Sequence, residues 1–203
     1  MANMYCETAW FAGPPAQMKA LRKVLTIEPA LDKNFVEVHI GGEMLRRGWD
    51  ADWTETERSL VIGAQMRWDP LGSCFYSISK AVPGLFMASC SSCYLENRYL
   101  MVAGFDQHQH FRAEPPVFTD DWEPIRGITD EDGSGALIEL TVAGFEEAFE
   151  AAVQSFKRGS KTPRRALQIL AKTEEAYQEF GPPPDSDYAE RLARLEAKLA
   201  EDD

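Results

Sequence analysis

Asp106, His108 and His110 stand at alternate positions in the run Asp106-Gln107-His108-Gln109-His110. On one extended strand they would share a face, about 6.5–7 Å apart. Two imidazoles at i, i+2 can bind one divalent metal when the strand curves and a third ligand arrives. The spacing nominates Asp106, His108 and His110 as a metal set, and with it a metal-dependent enzyme. The plainer reading is a polar strand end entering a loop. No HExxH accompanies the run, and the third histidine, His39, falls in an apolar strand pattern where it packs.

Cys90-Ser91-Ser92-Cys93 is a CxxC, the spacing of redox and zinc sites when it sits on a turn or helix start. Here it lies inside a strand pattern, so the two sulfurs are expected on opposite faces. Asp130-Glu131-Asp132-Gly133-Ser134-Gly135 resembles the first half of a calcium loop, with Asp130, Asp132 and Ser134 at positions 1, 3 and 5 and Gly135 at 6. Position 12 is Thr141, where a bidentate Glu belongs, so an acidic turn before a strand is the simpler account. No Walker A, Rossmann glycine pattern or GxSxG is present, and no catalytic residue is assigned.

The chain has 203 residues and a formal charge of −12. Hydrophobic residues make up 44%, which excludes general disorder. The acidity argues against a broad electrostatic grip on nucleic acid or anionic membranes. No apolar run approaches the roughly 18–20 residues of a membrane span. The N-terminus lacks the basic start and apolar stretch of a signal peptide. The expectation is a cytoplasmic protein with Cys6, Cys74, Cys90 and Cys93 reduced.

The charge is concentrated. Residues 1–113 and 152–203 are each −1, whereas residues 114–151 are −10, with Arg126 the one basic residue among 11 acidic ones. The segment includes Asp120, Asp121, Trp122, Glu123, Asp130, Glu131 and Asp132. It runs directly into a basic stretch. Lys157, Arg158, Lys161, Arg164, Arg165 and Lys172 give +6 with no acidic residue between 152 and 173.

The elements that must position these groups follow from periodicity. Tyr5 to Ala12 reads as a strand, and Gly13-Pro14-Pro15 breaks it and starts a helix carrying Met18, Leu21, Val24 and Leu25. Asn34 to Ile40 is a short strand, followed by a polar, Trp-containing insert from Glu43 to Arg58. Leu60, Ile62, Ala64, Met66 and Trp68 alternate as a half-buried strand. Asp69-Pro70 reads as an N-cap with proline at the first helical position, before Leu71, Phe75, Ile78 and Val82. Leu85 to Leu95 and Tyr99 to Phe105 flank a turn at Glu96-Asn97-Arg98. This order is an α+β, ferredoxin-like split βαβ sheet with an extra hairpin strand.

Further on, Ala136 to Val142 reads as a strand, and Phe145, Phe149, Val153 and Phe156 keep helical spacing. Thr162-Pro163 opens a helix with Leu167, Leu170 and Tyr177, ended by Gly181 and Pro182 to Pro184. Asp187 and Glu190 form a capping-box-like start before the stripe Tyr188, Leu192, Leu195 and Leu199. Three parts are expected: an α+β domain at 1–113, an acidic segment at 114–160 and a helical hairpin at 161–203.

Two segments resemble the YubB ferredoxin-like family of plasmid and phage proteins. One is the opening Met1-Ala2-Asn3 with Cys6 and Gly13-Pro14. The other is the series Trp68-Asp69-Pro70, Ile78-Ser79, Pro83-Gly84-Leu85 and Tyr94-Leu95-Glu96, closing near Gly104. The resemblance covers about the first half of the chain. It implies the fold and an origin on a mobile element, but no activity.

The functional expectation is a non-enzymatic acidic module that engages a protein with a basic surface, in its most concrete version an inhibitor of a host nucleic-acid-binding or defence system. Asp120, Asp121, Glu123, Asp130, Glu131 and Asp132 would be its anchors and Trp122 an aromatic hot spot. The alternatives are the metal-dependent enzyme on Asp106, His108 and His110, with a divalent metal as its one candidate cofactor, and a nucleic-acid binder using the basic stretch.

Overall fold

Tyr5, Glu7, Ala9 and Phe11 alternate with Cys6, Thr8, Trp10 and Ala12, so the first strand has two inward-facing sides over much of its length. That pattern belongs at the centre of a sheet covered on both faces. The computed structural model places it there, and describes residues 4–29, 34–93, 98–113, 134–180 and 187–201. Among these residues eight strands are formed: β1 (Met4–Ala12), β2 (Leu25–Glu28), β3 (Phe35–Ile40), β4 (Glu43–Glu55), β5 (Ser59–Arg67), β6 (Phe86–Cys93), β7 (Arg98–Phe105) and β8 (His108–Ala113). They form one sheet in the order β2-β3-β4-β5-β1-β6-β7-β8, with every neighbouring pair antiparallel.

One face carries α1 (Pro15–Val24), a 3₁₀ turn at Leu71–Cys74 and α2 (Phe75–Ala81). Met18, Leu21, Leu71, Phe75 and Ile78 bury against Phe11, Leu60, Ile62 and Met66. The other carries α3 (Ser134–Lys157), α4 (Arg164–Phe180) and α5 (Tyr188–Ala200). Phe145, Phe156, Leu167 and Leu170 pack there on Trp10, Phe86, Met101 and Phe111. The architecture is α+β, and residues from 1–113 and 134–201 share this second core. Among the described residues no helix is long and apolar enough to cross a membrane.

Several expectations are corrected. The insert after Gly42 is the longest strand of the sheet. Only Gly48 and Ala51 of β4 are buried, so its sequence shows no apolar alternation. Backbone pairing with β3 and β5 holds it in place instead, with a bulge at Asp50-Ala51 where Asp50 takes φ +50°. Ala136 to Val142 is not a strand but the start of α3. Leu137, Thr141, Phe145, Ala148 and Ala152 form one continuous buried helical face, and the Thr141 hydroxyl donates to the Leu137 carbonyl at 2.9 Å.

Trp68 does not continue the inward alternation of β5. It leaves the strand at φ +75° and is 59% exposed. Asp69 does not cap the helix after it, because its carboxylate pairs with Arg46 at 2.9 Å. Asp187 is the N-cap residue of α5, but its side chain makes no cap bond.

Candidate functional site

The acidic anchors Asp120, Asp121, Trp122, Glu123, Asp130, Glu131 and Asp132 lie outside the described residues. Leu137 and Thr141, which would be positions 8 and 12 of a calcium loop, are buried on α3. Cys90 packs toward the α3–α5 core and Cys93 toward the α1–α2 core, the opposed arrangement that the strand pattern predicts. All four cysteines are free. Burial, aided by the nearby Glu7 charge, pushes the Cys90 thiol up to about 12, far from the thiolate that a redox or metal site needs.

Asp106, His108 and His110 do not share one extended strand. β7 ends at Phe105, and Asp106-Gln107 forms a two-residue turn with Asp106 at φ +58°. The Asp106 carboxylate accepts the Gly84 amide at 3.2 Å, tying this turn to the end of α2. His110 is the extra residue of a bulge between Ala103 and Gly104, which turns it into the protein beside Phe111. The rings of His108 and His110 are 6.1 Å apart. Among the described residues no three His, Cys, Asp or Glu side chains are grouped to hold a metal ion. Both ring nitrogens of His110 are buried without a hydrogen-bond partner among the described residues. Burial lowers its pKa to about 3, with His108, Lys198 and Arg194 adding to the effect.

Two buried charge-bearing sites have no signal in the sequence. Glu7 sits in the middle of β1, and its carboxylate accepts the Leu71 and Gly72 amides, the latter at 2.9 Å, and the Ser89 hydroxyl. It therefore performs from another strand the capping that Asp69 does not. Burial raises its pKa from 4.5 to about 7, against the lowering pull of its three donors. On the opposite face, Arg191 of α5 and Glu174 of α4 form a buried ion pair at 3.2 Å, and the same guanidinium donates to the Arg112 carbonyl of β8 at 3.4 Å. Each fixes a helix to the sheet or to another helix. Neither Glu7 nor the Arg191–Glu174 pair lines the two solvent-facing clefts described below.

Among the described residues, three solvent-facing surfaces gather charged groups. Glu139, Glu146, Glu147 and Glu150 are exposed on α3. Where α3 turns into α4, a cleft of about 600 Å³ is lined by Arg158, Lys161, Arg164 and Arg165 with Ser160 and Thr162. The basic stretch thus forms a concave corner, and Arg165–Glu147 at 3.8 Å is its one ion pair to α3 among the described residues.

The third surface is a cleft of about 440 Å³ at the far end of β5, lined by Met44, Arg46, Arg47, Trp49, Arg67 and Trp68. The Arg67 guanidinium lies over the Trp68 ring, 5.3 Å from its centroid. Arg47 lies over Phe35 at 4.4 Å and pairs with Glu37 at 3.2 Å.

No family model, curated protein or solved structure matches this chain.

Proposed function

We propose that the chain is a non-enzymatic interaction module, encoded on a mobile genetic element and acting in the cytoplasm, whose acidic surface occupies a basic surface of a partner protein. In its most concrete form it inhibits a host nucleic-acid-binding or defence protein by presenting carboxylates where phosphates would sit. One observation carries this reading. Of a net −12, −10 resides in residues 114–151, and the four acidic residues of that segment that lie on α3 are exposed. Among the described residues Glu139, Glu146 and Glu150 make no ion pair, so their charge is available to a partner.

The fold reading is of a split βαβ, ferredoxin-like core. The order β4-β5-β1-β6, with α1 and α2 on one face, supports it, with β2–β3 as an insertion and β7–β8 as an extension. The YubB resemblance belongs to the same proposal.

Affinity capture with the wild-type chain and two charge-reversal variants tests the function. One variant reverses Asp120, Asp121 and Glu123. The other reverses Glu139, Glu146 and Glu150. Loss of a basic partner from both variants is expected. Retention of every partner by both would show that the acidic surface is only solubilising.

A further inference from the structure

Trp68 is costly to hold as it is. Its backbone lies in the left-handed region at φ +75°, which bulky L-residues seldom adopt, and the residue is 59% exposed, so little packing is gained in return. Strain held at an exposed aromatic points to a ligand rather than to the core.

The surroundings specify the ligand's chemistry. Arg67 covers the Trp68 ring and makes no ion pair among the described residues. Arg46 is fixed by Asp69 at 2.9 Å and by the Ser73 hydroxyl at 3.3 Å. Arg47 is fixed by Glu37 and Phe35. Trp49 forms part of the wall, with its indole N–H held by Gln65 at 3.2 Å. Three guanidinium groups face two carboxylates, each already engaged, and the surplus positive charge is Arg67. The cleft therefore offers a flat apolar platform with a cation against it, the pairing that takes a base and its phosphate.

We propose that this cleft binds single-stranded nucleic acid, with one base stacked on Trp68 and the adjoining phosphate held by Arg67. Arg46 and Arg47 position the neighbouring backbone. Because the chain as a whole is acidic, stacking rather than long-range attraction supplies the affinity. Binding should then depend only shallowly on salt, with a log–log slope no steeper than about −2.

Fluorescence anisotropy of the full chain with short labelled oligouridine and oligothymidine at low salt tests this. Trp68→Gly relieves the backbone strain while removing the platform. Its expected outcome is an unchanged or raised Tm together with binding weakened roughly 5- to 150-fold, the range for loss of one stacked base. Arg67→Glu is expected to weaken binding at unchanged Tm. Absence of binding by the wild type at low salt, or unchanged affinity in both variants, would overturn the proposal. So would a lowered Tm in Trp68→Gly with affinity unaltered in Arg67→Glu, which would mark the indole as structural. Competition by a mononucleotide as strong as by the strand would make the cleft a nucleotide site instead. Competition by an acidic peptide alone would make it a protein site.

Discussion

Among the described residues the two faces of the sheet each bury one carboxylate, and they stabilise it by different means. On the α1–α2 face, Glu7 is surrounded by neutral donors only: two backbone amides and a serine hydroxyl. On the α3–α5 face, Glu174 is held by the full charge of Arg191. Neutral donors only partly replace water around an anion, so Glu7 remains able to take up a proton near neutrality. The second face instead leaves an imidazole, His110, without a hydrogen-bond partner among the described residues, and burial keeps it neutral. The two faces therefore respond to pH with opposite signs.

The largest expected effect comes from His110. Its folded pKa of about 3 lies below its ordinary 6.5, so below pH 6.5 the unfolded chain takes up a proton that the folded chain refuses. Stability is lost as pH falls from 6.5 toward 3, by a total on the order of 5 kcal/mol at 1.36 kcal/mol per pKa unit. In His110→Leu this loss should vanish, measured as the wild-type-minus-variant difference in denaturant unfolding across that range. A parallel pair of pH curves would show that the imidazole finds a partner in solution.

Arg191→Met should come next. Removing the cation leaves the buried Glu174 without its Arg191 partner, at a cost of about 3–5 kcal/mol, whereas Arg191→Met with Glu174→Met should recover most of it. A double variant no more stable than Arg191→Met would show that the pair does more than neutralise itself.

Glu7 titrates the other way. Its folded pKa of about 7 lies above its ordinary 4.5, so between these values the unfolded chain releases a proton that the folded chain keeps. Stability contributed by this group is present below pH 4.5 and lost as pH rises through 7, on the order of 3 kcal/mol in total. Glu7→Gln should flatten that part of the profile. A wild-type-minus-Gln difference that does not change between pH 4.5 and 7.5 would place the Glu7 pKa near its ordinary value.

The smallest effect is Ser89→Ala, which removes one of three donors to Glu7 and should cost about 1 kcal/mol while moving its titration further upward. A downward shift would mean that the hydroxyl accepts rather than donates.

The contrast between the faces was only partly legible in the sequence. β1, α1, β5 and the strands β6 and β7 follow from alternation, helical spacing and Gly-Pro breaks, because their burial is local in origin, while the turn at Glu96-Asn97-Arg98 falls mostly outside the described residues. β4 left no such trace, since both its sides are largely exposed. The segment 136–142 carries β-branched and apolar residues that fit either period, and only the core they share with Phe145 and Ala152 decides for a helix. Glu7 was illegible for another reason. Its partners lie 64, 65 and 82 residues away, and nothing near it in sequence marks the middle of a strand as a capping site. Asp106, His108 and His110 were visible as types, but a turn and a bulge separate what an extended strand would have aligned.

β1 precedes both of its partner strands in the chain and lies at the centre of the sheet. Its hydrogen-bonding edges are filled by β5 and β6, from residue 59 onward. It is thus made early and satisfied late, a distant pairing of the kind that slows folding. During that interval the segment Tyr5 to Ala12 is an unpaired, aromatic-rich strand, the sort of sequence that associates with copies of itself. Glu7 interrupts it. In the open chain its carboxylate is hydrated and ionised at neutral pH, which opposes such association, and docking onto Leu71, Gly72 and Ser89 is what removes that charge from water.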